Sequence, residues 1–125
     1  MIVVIGGAYQ GKEAYVRKEF PGLHRFLQGE EFVNQEQSNA EVILNYHLGI
    51  KALMEKKEDP FLKTRALCEA NPKVIITLDE LGCGIVPIEE FDRRYRECVG
   101  RIGCLLAEKA EQVIRVYCGI PERIK

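Results

Sequence analysis

The sequence predicts an α/β protein with a small, mostly parallel sheet, and three features support this class. Short apolar runs alternate with longer stretches of helical periodicity, as in strand–helix–strand units. The runs are rich in β-branched residues, which is typical of parallel strands covered on both faces. A glycine-rich turn joins the first run to the first helical stretch. With 125 residues and 46% hydrophobic content, we expect one domain, residues 1–125, around a single core.

The first part of the chain predicts a strand and then a helix. Residues 2–5 form a continuous apolar run, which we expect to be central in the sheet. The helix should begin near Gly11 and end before Pro21, because proline cannot continue an α-helix. Residues 25–27 and 31–33 each fit a brief strand.

Two helices are predicted next. Ser38 and Glu41 have the spacing of a capping box, and apolar residues follow at helical intervals, so we expect a helix over about residues 39–57. Asp59 is a good N-cap and a proline follows it at the first helical position, which predicts a second helix over residues 60–70.

The last third predicts strand, helix and strand. Residues 74–78 read as a second buried strand and residues 113–118 as a third. Between them, apolar side chains recur every three or four residues, which predicts a long amphipathic helix over about residues 88–109. Strands that alternate with helices in this way should form a parallel sheet with right-handed crossovers.

Composition limits the classes of partner and the compartment. The net charge of −1 gives no basic surface for nucleic acid. The N-terminal apolar run stops at Gly6, too short for a signal peptide or a membrane span, so we expect a cytoplasmic protein with no membrane partner. The five cysteines include no C-x-x-C pair, and we expect reduced thiols rather than a zinc site or disulfides.

The turn after the first strand resembles a phosphate-binding loop, G-x-x-x-x-G-K-[ST], except at its last position. Its glycines would let backbone N–H groups converge on a phosphate, and Lys12 would add positive charge. Glu13 stands where a hydroxyl normally binds Mg²⁺. Glycine-rich turns of this kind also occur simply to pack a helix against a sheet. The position of this turn, between a predicted strand and a predicted helix, favours phosphate binding. The candidate nucleotide-binding residues are Gly6, Gly7, Ala8, Tyr9, Gln10, Gly11, Lys12 and Glu13.

Two acidic residues end the second predicted strand. In open α/β sheets the ligand lies beside the carboxyl ends of the strands, so Asp79 and Glu80 are candidates to hold Mg²⁺. Glu80 is also a candidate catalytic base, together with Lys12 as a catalytic cation. The alternative is that these acids mark only the point at which the chain reaches the surface. We expect His47 to be a hydrogen-bonded core residue and His24 to be exposed, and neither to act as a nucleophile.

Several segments together resemble the bifunctional adenosylcobinamide kinase/adenosylcobinamide-phosphate guanylyltransferase family of cobalamin synthesis. The matching stretches are residues 79–87 (DELGCGIVP), 95–101 (YRECVGR), 110–113 (AEQV) and 119–121 (GIP), with the loop at residues 6–12. The resemblance implies a P-loop-containing nucleoside triphosphate hydrolase-like fold, three-layer α/β/α, and Mg²⁺ with GTP or ATP as cofactors. It also implies a corrinoid substrate, a homo-oligomer, and Arg101 as a further nucleotide-binding residue.

The sequence departs from that family at functional positions. Besides Glu13, Gln10 replaces the serine before Gly11, and the family segment that carries the guanylylated histidine has no match between residues 20 and 38. We therefore expect nucleotide binding without guanylyl transfer. The alternatives are an active kinase that phosphorylates a hydroxyl of an adenosylcobinamide-type acceptor and a non-catalytic protein that keeps only the scaffold.

Overall fold

The computed structural model describes residues 1–36, 38–82 and 84–125. Within these residues there are six strands and five helices, which alternate along the chain except that α4 follows α3 and β6 follows β5. In order they are β1 (Ile2–Gly6), α1 (Lys12–Glu19), β2 (Phe26–Gln28), α2 (Gly29–Val33), β3 (Val42–Leu44), α3 (Tyr46–Glu55), α4 (Pro60–Ala70), β4 (Ile75–Asp79), α5 (Glu90–Lys109), β5 (Gln112–Tyr117) and β6 (Ile120–Arg123).

The strands form one sheet in the order β2-β3-β4-β1-β5-β6. Every neighbouring pair is parallel except β5 with β6, which is antiparallel. β1 lies between β4 and β5, as its continuous apolar run predicted. The carboxyl ends of β1 and β4 are in register, because Gly6 pairs with Asp79. The phosphate-loop candidate and the acidic strand end are therefore neighbours.

Helices cover both faces of the sheet. Alternate strand residues point to opposite sides, so Val3 and Ile76 belong to one apolar cluster and Val4 and Ile75 to another. The first cluster is completed by α2, α3, α4 and α5, and the second by α1 and the segment after it. The result is the three-layer α/β/α architecture with a mostly parallel sheet that the sequence predicted.

The helix predicted from about residue 39 is wrong at its start, because β3 occupies residues 42–44 and α3 begins only at Tyr46. The expected capping box is not formed. Glu41 instead accepts hydrogen bonds from the N–H groups of His24 (2.8 Å) and Arg25 (3.0 Å), and Ser38 Oγ accepts from Ala40. The three apolar residues of β3 are buried between β2 and β4, and this burial decides their conformation.

Two other segments differ from prediction. Residues 31–33 belong to α2 rather than to a strand, and Glu31 caps this short helix by accepting the N–H of Gln28 at 3.0 Å. β6 was not predicted at all. Its four residues are exposed at the edge of the sheet, where Pro121 is tolerated.

The remaining elements follow the predictions within a few residues. The strand predicted at residues 25–27 is present as β2, and the helix beginning at Pro60 is capped by Asp59, whose Oδ1 accepts from Phe61 N–H at 2.9 Å. Among the described residues, no helix combines the length and apolar character needed to cross a membrane.

Candidate functional site

A cavity of about 520 Å³ lies at the carboxyl ends of three neighbouring strands, β1, β4 and β3. This is the edge at which open α/β sheets bind ligands. The cavity is lined by residues 8–14 from the loop and the first turn of α1, by Asn45, His47 and Leu48 after β3, and by Thr77 and Asp79 of β4.

Close approach and backbone conformation explain two of the loop glycines. A Cβ atom at Gly6 would lie 2.4 Å from the carbonyl oxygen of Val116, so no larger residue fits there. Gly11 has a φ of 95° and a Cβ there would lie 3.3 Å from Cα of Gly119. The loop is therefore packed tightly against the end of β5 and the turn that follows it.

The backbone of the loop keeps donors available. Within the described residues, the N–H groups of residues 8–11 donate to no protein acceptor. Gly11 is the N-cap of α1 and no side chain caps the helix, so the positive end of the helix dipole also adjoins the cavity. These features match what a phosphate group requires of a backbone anion site.

Gln10 anchors the loop to the turn between β5 and β6. Its side-chain Oε1 accepts the N–H of Cys118 at 2.7 Å, and its carbonyl oxygen accepts the N–H of Gly119 at 2.8 Å. Both turn residues have positive φ angles, 51° and 75°, as a type I′ hairpin turn requires. Sequence reasoning missed this contact because β6 was not predicted.

Lys12 and Asp79 form a buried ion pair in the cavity wall. Nζ of Lys12 lies 2.6 Å from Oδ1 of Asp79, and the two side chains are 6% and 13% exposed. Nζ also donates to the carbonyl oxygen of Gly7 at 2.7 Å. The structure thus brings together two of the residues singled out from the sequence, but it pairs them with each other.

His47 completes this network. Its Nδ1 accepts the backbone N–H of Asp79 at 3.3 Å, and its Nε2 lies 3.3 Å from Oδ2 of the same residue. Burial lowers the pKa of His47, since the charged ring would lose its hydration, while the Asp79 charge opposes this and Lys12 reinforces it. Because Nδ1 accepts a hydrogen bond, the ring is neutral and carries its proton on Nε2. It is hydrogen-bonded and buried as predicted, and it also lines the cavity.

Three other candidate residues from the sequence form ion pairs of their own, apart from Lys12 and Asp79. Glu80 pairs with Arg115 at 3.0 Å and is not among the described residues that line the cavity. Arg101 lies on α5, is 70% exposed and pairs with Glu97 at 2.9 Å. Glu13 does line the cavity, but its carboxylate is half-exposed and pairs with Arg17 at 3.0 Å.

Asn45 is a cavity residue that sequence reasoning missed. It has a φ of 54°, its N–H donates to Thr77 Oγ1 at 2.8 Å, and its Nδ2 donates to Gln28 Oε1 at 3.0 Å. The signal was present, since Asn45 follows an apolar run just as Asp79 does, but the run was interpreted as part of a helix.

The oxygen atoms in this cavity suit Mg²⁺ that arrives with phosphates. The wall offers the Asp79 carboxylate, the Thr77 hydroxyl and the Asn45 amide oxygen, and oxygen is the ligand that Mg²⁺ prefers. Among the described residues, no group of three His, Cys, Asp or Glu side chains could hold a metal ion. The residues fit a cation bound through one carboxylate, waters and substrate phosphates, and Asp79 would hold it. Such a cation would neutralise phosphate charge.

Comparisons with known proteins identify the family. A model described as cobinamide kinase / cobinamide phosphate guanyltransferase matches residues 30–124, which is more than half of the chain. The match begins after the glycine-rich loop, so the interpretation of that loop rests on its own sequence and geometry.

Three curated relatives are similar over part of their length. The bifunctional adenosylcobalamin biosynthesis protein CobU of Salmonella typhimurium is 37% identical over 76 residues, which cover 59% of this chain and 42% of the relative. The Escherichia coli protein of the same name is 39% identical over 61 residues, 48% of this chain and 34% of the relative. The Pseudomonas aeruginosa protein CobP is 34% identical over 59 residues, 47% of this chain and 34% of the relative.

The matched segments thus span less than half the length of each of these relatives. The family match still covers most of the sheet and of its helices, including β4, which carries Asp79. The chain belongs to the cobinamide kinase / cobinamide phosphate guanyltransferase family.

Proposed function

We propose that this protein binds the phosphates of a nucleoside triphosphate, GTP or ATP, at the loop of residues 6–13, with Mg²⁺ as the accompanying cation. The observation that carries the proposal is the loop itself. It follows the central strand, opens α1, and leaves the N–H groups of residues 8–11 without protein acceptors at the cavity. A backbone arranged in this way is suited to anions.

The roles of the side chains follow from their positions. Lys12 supplies the cation that meets the terminal phosphates, because it is the lysine in the cavity wall. Asp79 holds Mg²⁺. Glu13 weakens binding by adding negative charge at the cavity mouth, although its contact with Arg17 reduces the effect. Glu80 and Arg101 take no part in the phosphate site in this proposal, because neither is among the described residues that line the cavity.

Guanylyl transfer is not part of the proposed function. A histidine nucleophile needs a ring nitrogen that can attack, and both ring nitrogens of His47 are engaged with Asp79. His24 precedes β2 and so lies near the amino ends of the parallel strands, at the opposite edge of the sheet from the loop. In this proposal, neither histidine acts as the nucleophile at the cavity.

Phosphoryl transfer to a hydroxyl is the second candidate function. It depends chiefly on positioning and charge neutralisation, and Lys12 and Asp79 lie together in the cavity as such a reaction requires. The relatives are bifunctional adenosylcobalamin biosynthesis proteins, which makes a corrinoid the acceptor to test. Because Glu80 is paired with Arg115, this reaction would proceed without Glu80 as its base.

Titration calorimetry with GTP and ATP in the presence of Mg²⁺ tests the proposal. We expect binding that Lys12→Met abolishes, since the variant keeps the side-chain stem and removes only the charge. Lys18→Met, on α1 but outside the cavity lining, is the matched control and should bind like the unmodified protein. Absence of heat with both nucleotides at millimolar concentration would show that only the scaffold is retained. Phosphate transfer from labelled ATP to adenosylcobinamide would instead establish the kinase.

A further inference from the structure

The cation of the phosphate loop is already neutralised by the protein. Nζ of Lys12 has three N–H donors, and two of them are directed at Asp79 and at the carbonyl oxygen of Gly7. The ion pair is largely removed from water, because the two side chains are 6% and 13% exposed. A phosphate that needs Lys12 must therefore compete with a carboxylate that is in direct contact with it.

The rest of the cavity wall does not restore positive charge. Apart from Lys12, the charged residues among its described lining are Asp79 and Glu13, both negative. Arg17 pairs with Glu13 and is not among the described lining residues, and Nδ1 of His47 accepts the backbone N–H of Asp79, so this nitrogen carries no proton. A free polyphosphate in this space would lie near the Asp79 carboxylate, and it would gain Lys12 only if the ammonium group left that carboxylate.

We propose that Asp79 makes phosphate binding conditional on a divalent cation, so that the site accepts a metal–polyphosphate complex and discriminates against the free polyphosphate. This inference rests on the proposed function of the loop. A cation that shares the Asp79 oxygens weakens the contact with Lys12 and leaves the ammonium group for the phosphates. The same carboxylate therefore acts as a barrier without the metal and as a ligand with it.

The inference predicts a specific effect of removing one charge. Asp79→Asn keeps the size of the side chain and an oxygen that can accept from Lys12, but it removes the competing negative charge. Since a hydrogen bond to a charged group is worth roughly tenfold to a hundredfold in binding, metal-free polyphosphate should bind Asp79→Asn at least about tenfold more tightly than the unmodified protein. The dependence on Mg²⁺ should become small in the same variant.

The experiment is a calorimetric titration with inorganic tripolyphosphate, carried out once in EDTA and once in excess Mg²⁺. The unmodified protein should bind about tenfold or more tightly with Mg²⁺ than in EDTA. Asp92→Asn, which removes a carboxylate from the first turn of α5, controls for the change in net charge and should behave like the unmodified protein. Circular dichroism verifies that each variant is folded.

The outcomes separate this inference from the function on which it rests. Equal binding by the unmodified protein with and without Mg²⁺ overturns the inference and leaves phosphate binding intact. This comparison needs no variant, so it stands even if Asp79→Asn fails to fold. A folded Asp79→Asn that gains no metal-free affinity also overturns the inference. Failure to detect binding in any condition overturns the proposed function as well.

Discussion

The buried pair of Lys12 and Asp79 should contribute measurably to folding, and a double-mutant cycle can isolate that contribution. Lys12→Met keeps the apolar stem of the lysine, and Asp79→Asn keeps the shape of the carboxylate. Each single change leaves the other charge without its partner at low exposure, where an unpaired charge is costly. The double variant leaves no unpaired charge, so it should be more stable than the sum of the two single effects predicts.

The structure sets the size of this coupling. Two charges 2.6 Å apart attract by about 6 kcal/mol at an effective dielectric constant of about 20. Loss of hydration offsets much of this, and interaction energies between contacting residues are about 0.5–3 kcal/mol. Because both side chains are largely buried, we expect a value near the upper end, about 2 kcal/mol. The exposed pair of Glu13 and Arg17, on one helix, should give only about 0.5 kcal/mol or less.

Urea denaturation monitored by circular dichroism is the assay, without nucleotide and with EDTA present. A coupling of about 2 kcal/mol corresponds to a shift of roughly 1 M in the midpoint for a domain of this size. The reasoning is refuted if the coupling between Lys12 and Asp79 is no larger than that of the exposed pair. That result would mean that the loop lysine is not held by the carboxylate in solution.

Four further predictions address the loop and the fold. Glu13→Ser should strengthen binding of Mg²⁺–GTP only a few-fold in calorimetry, because the carboxylate is half-exposed and screened. Gln10→Ala should destabilise the loop by about 1 kcal/mol and weaken nucleotide binding, since it loses the side-chain contact with the turn after β5. Asp59→Ala should lower the unfolding free energy by about 1 kcal/mol in urea, because α4 loses its N-cap. Burial raises the pKa of Tyr46 to about 12, so its contribution to stability is full below about pH 10 and is lost as pH rises toward 12. The unfolding free energy measured in urea should therefore fall between pH 8 and pH 11, and this fall should be about 1 kcal/mol smaller for Tyr46→Phe than for the unmodified protein.

Each of these predictions has a contradicting result. Unchanged or weaker affinity in Glu13→Ser would place that side chain away from the phosphates. Nucleotide affinity unaffected by Gln10→Ala would mean that the hairpin does not position the loop. Gln10→Asn shortens the side chain but keeps the amide, so its nucleotide affinity should lie between those of the unmodified protein and Gln10→Ala. A helix that unfolds no more easily without Asp59 would argue against the cap. Equal pH dependence of Tyr46→Phe and the unmodified protein would show that the phenol titrates normally when folded.

The elements that the sequence predicted well are those with strong local signals. Asp59 and the proline after it define the start of α4 without help from distant residues, and the apolar run of β1 is central because strands on both sides bury it. β3 was missed because its identity depends on partners far along the chain. Its three residues are compatible with a helix, and pairing with β2 and β4 decides between the two.

The site shows the same division. Lys12 and Asp79 could be predicted as neighbours. Lys12 follows β1 and Asp79 ends β4, and these parallel strands have their carboxyl ends at the same edge of the sheet. Glu80 could not be assigned from its position next to Asp79. Side chains alternate along an extended chain, so Glu80 is directed to another side and meets Arg115 on β5. Which charges pair is decided by tertiary contacts that sequence spacing does not reveal.

The measurement that tests the central claim most directly is an NMR titration of the ¹⁵N-labelled protein with Mg²⁺–GTP, observed at the backbone amides. If the loop binds phosphate, the amide protons of residues 8–11 should acquire strong acceptors and shift downfield in a saturable manner, and Lys12→Met should suppress the shifts. Amide signals of the loop that stay unchanged at millimolar nucleotide, or saturable shifts confined to another part of the sheet, would contradict the proposal that this loop is the nucleotide site.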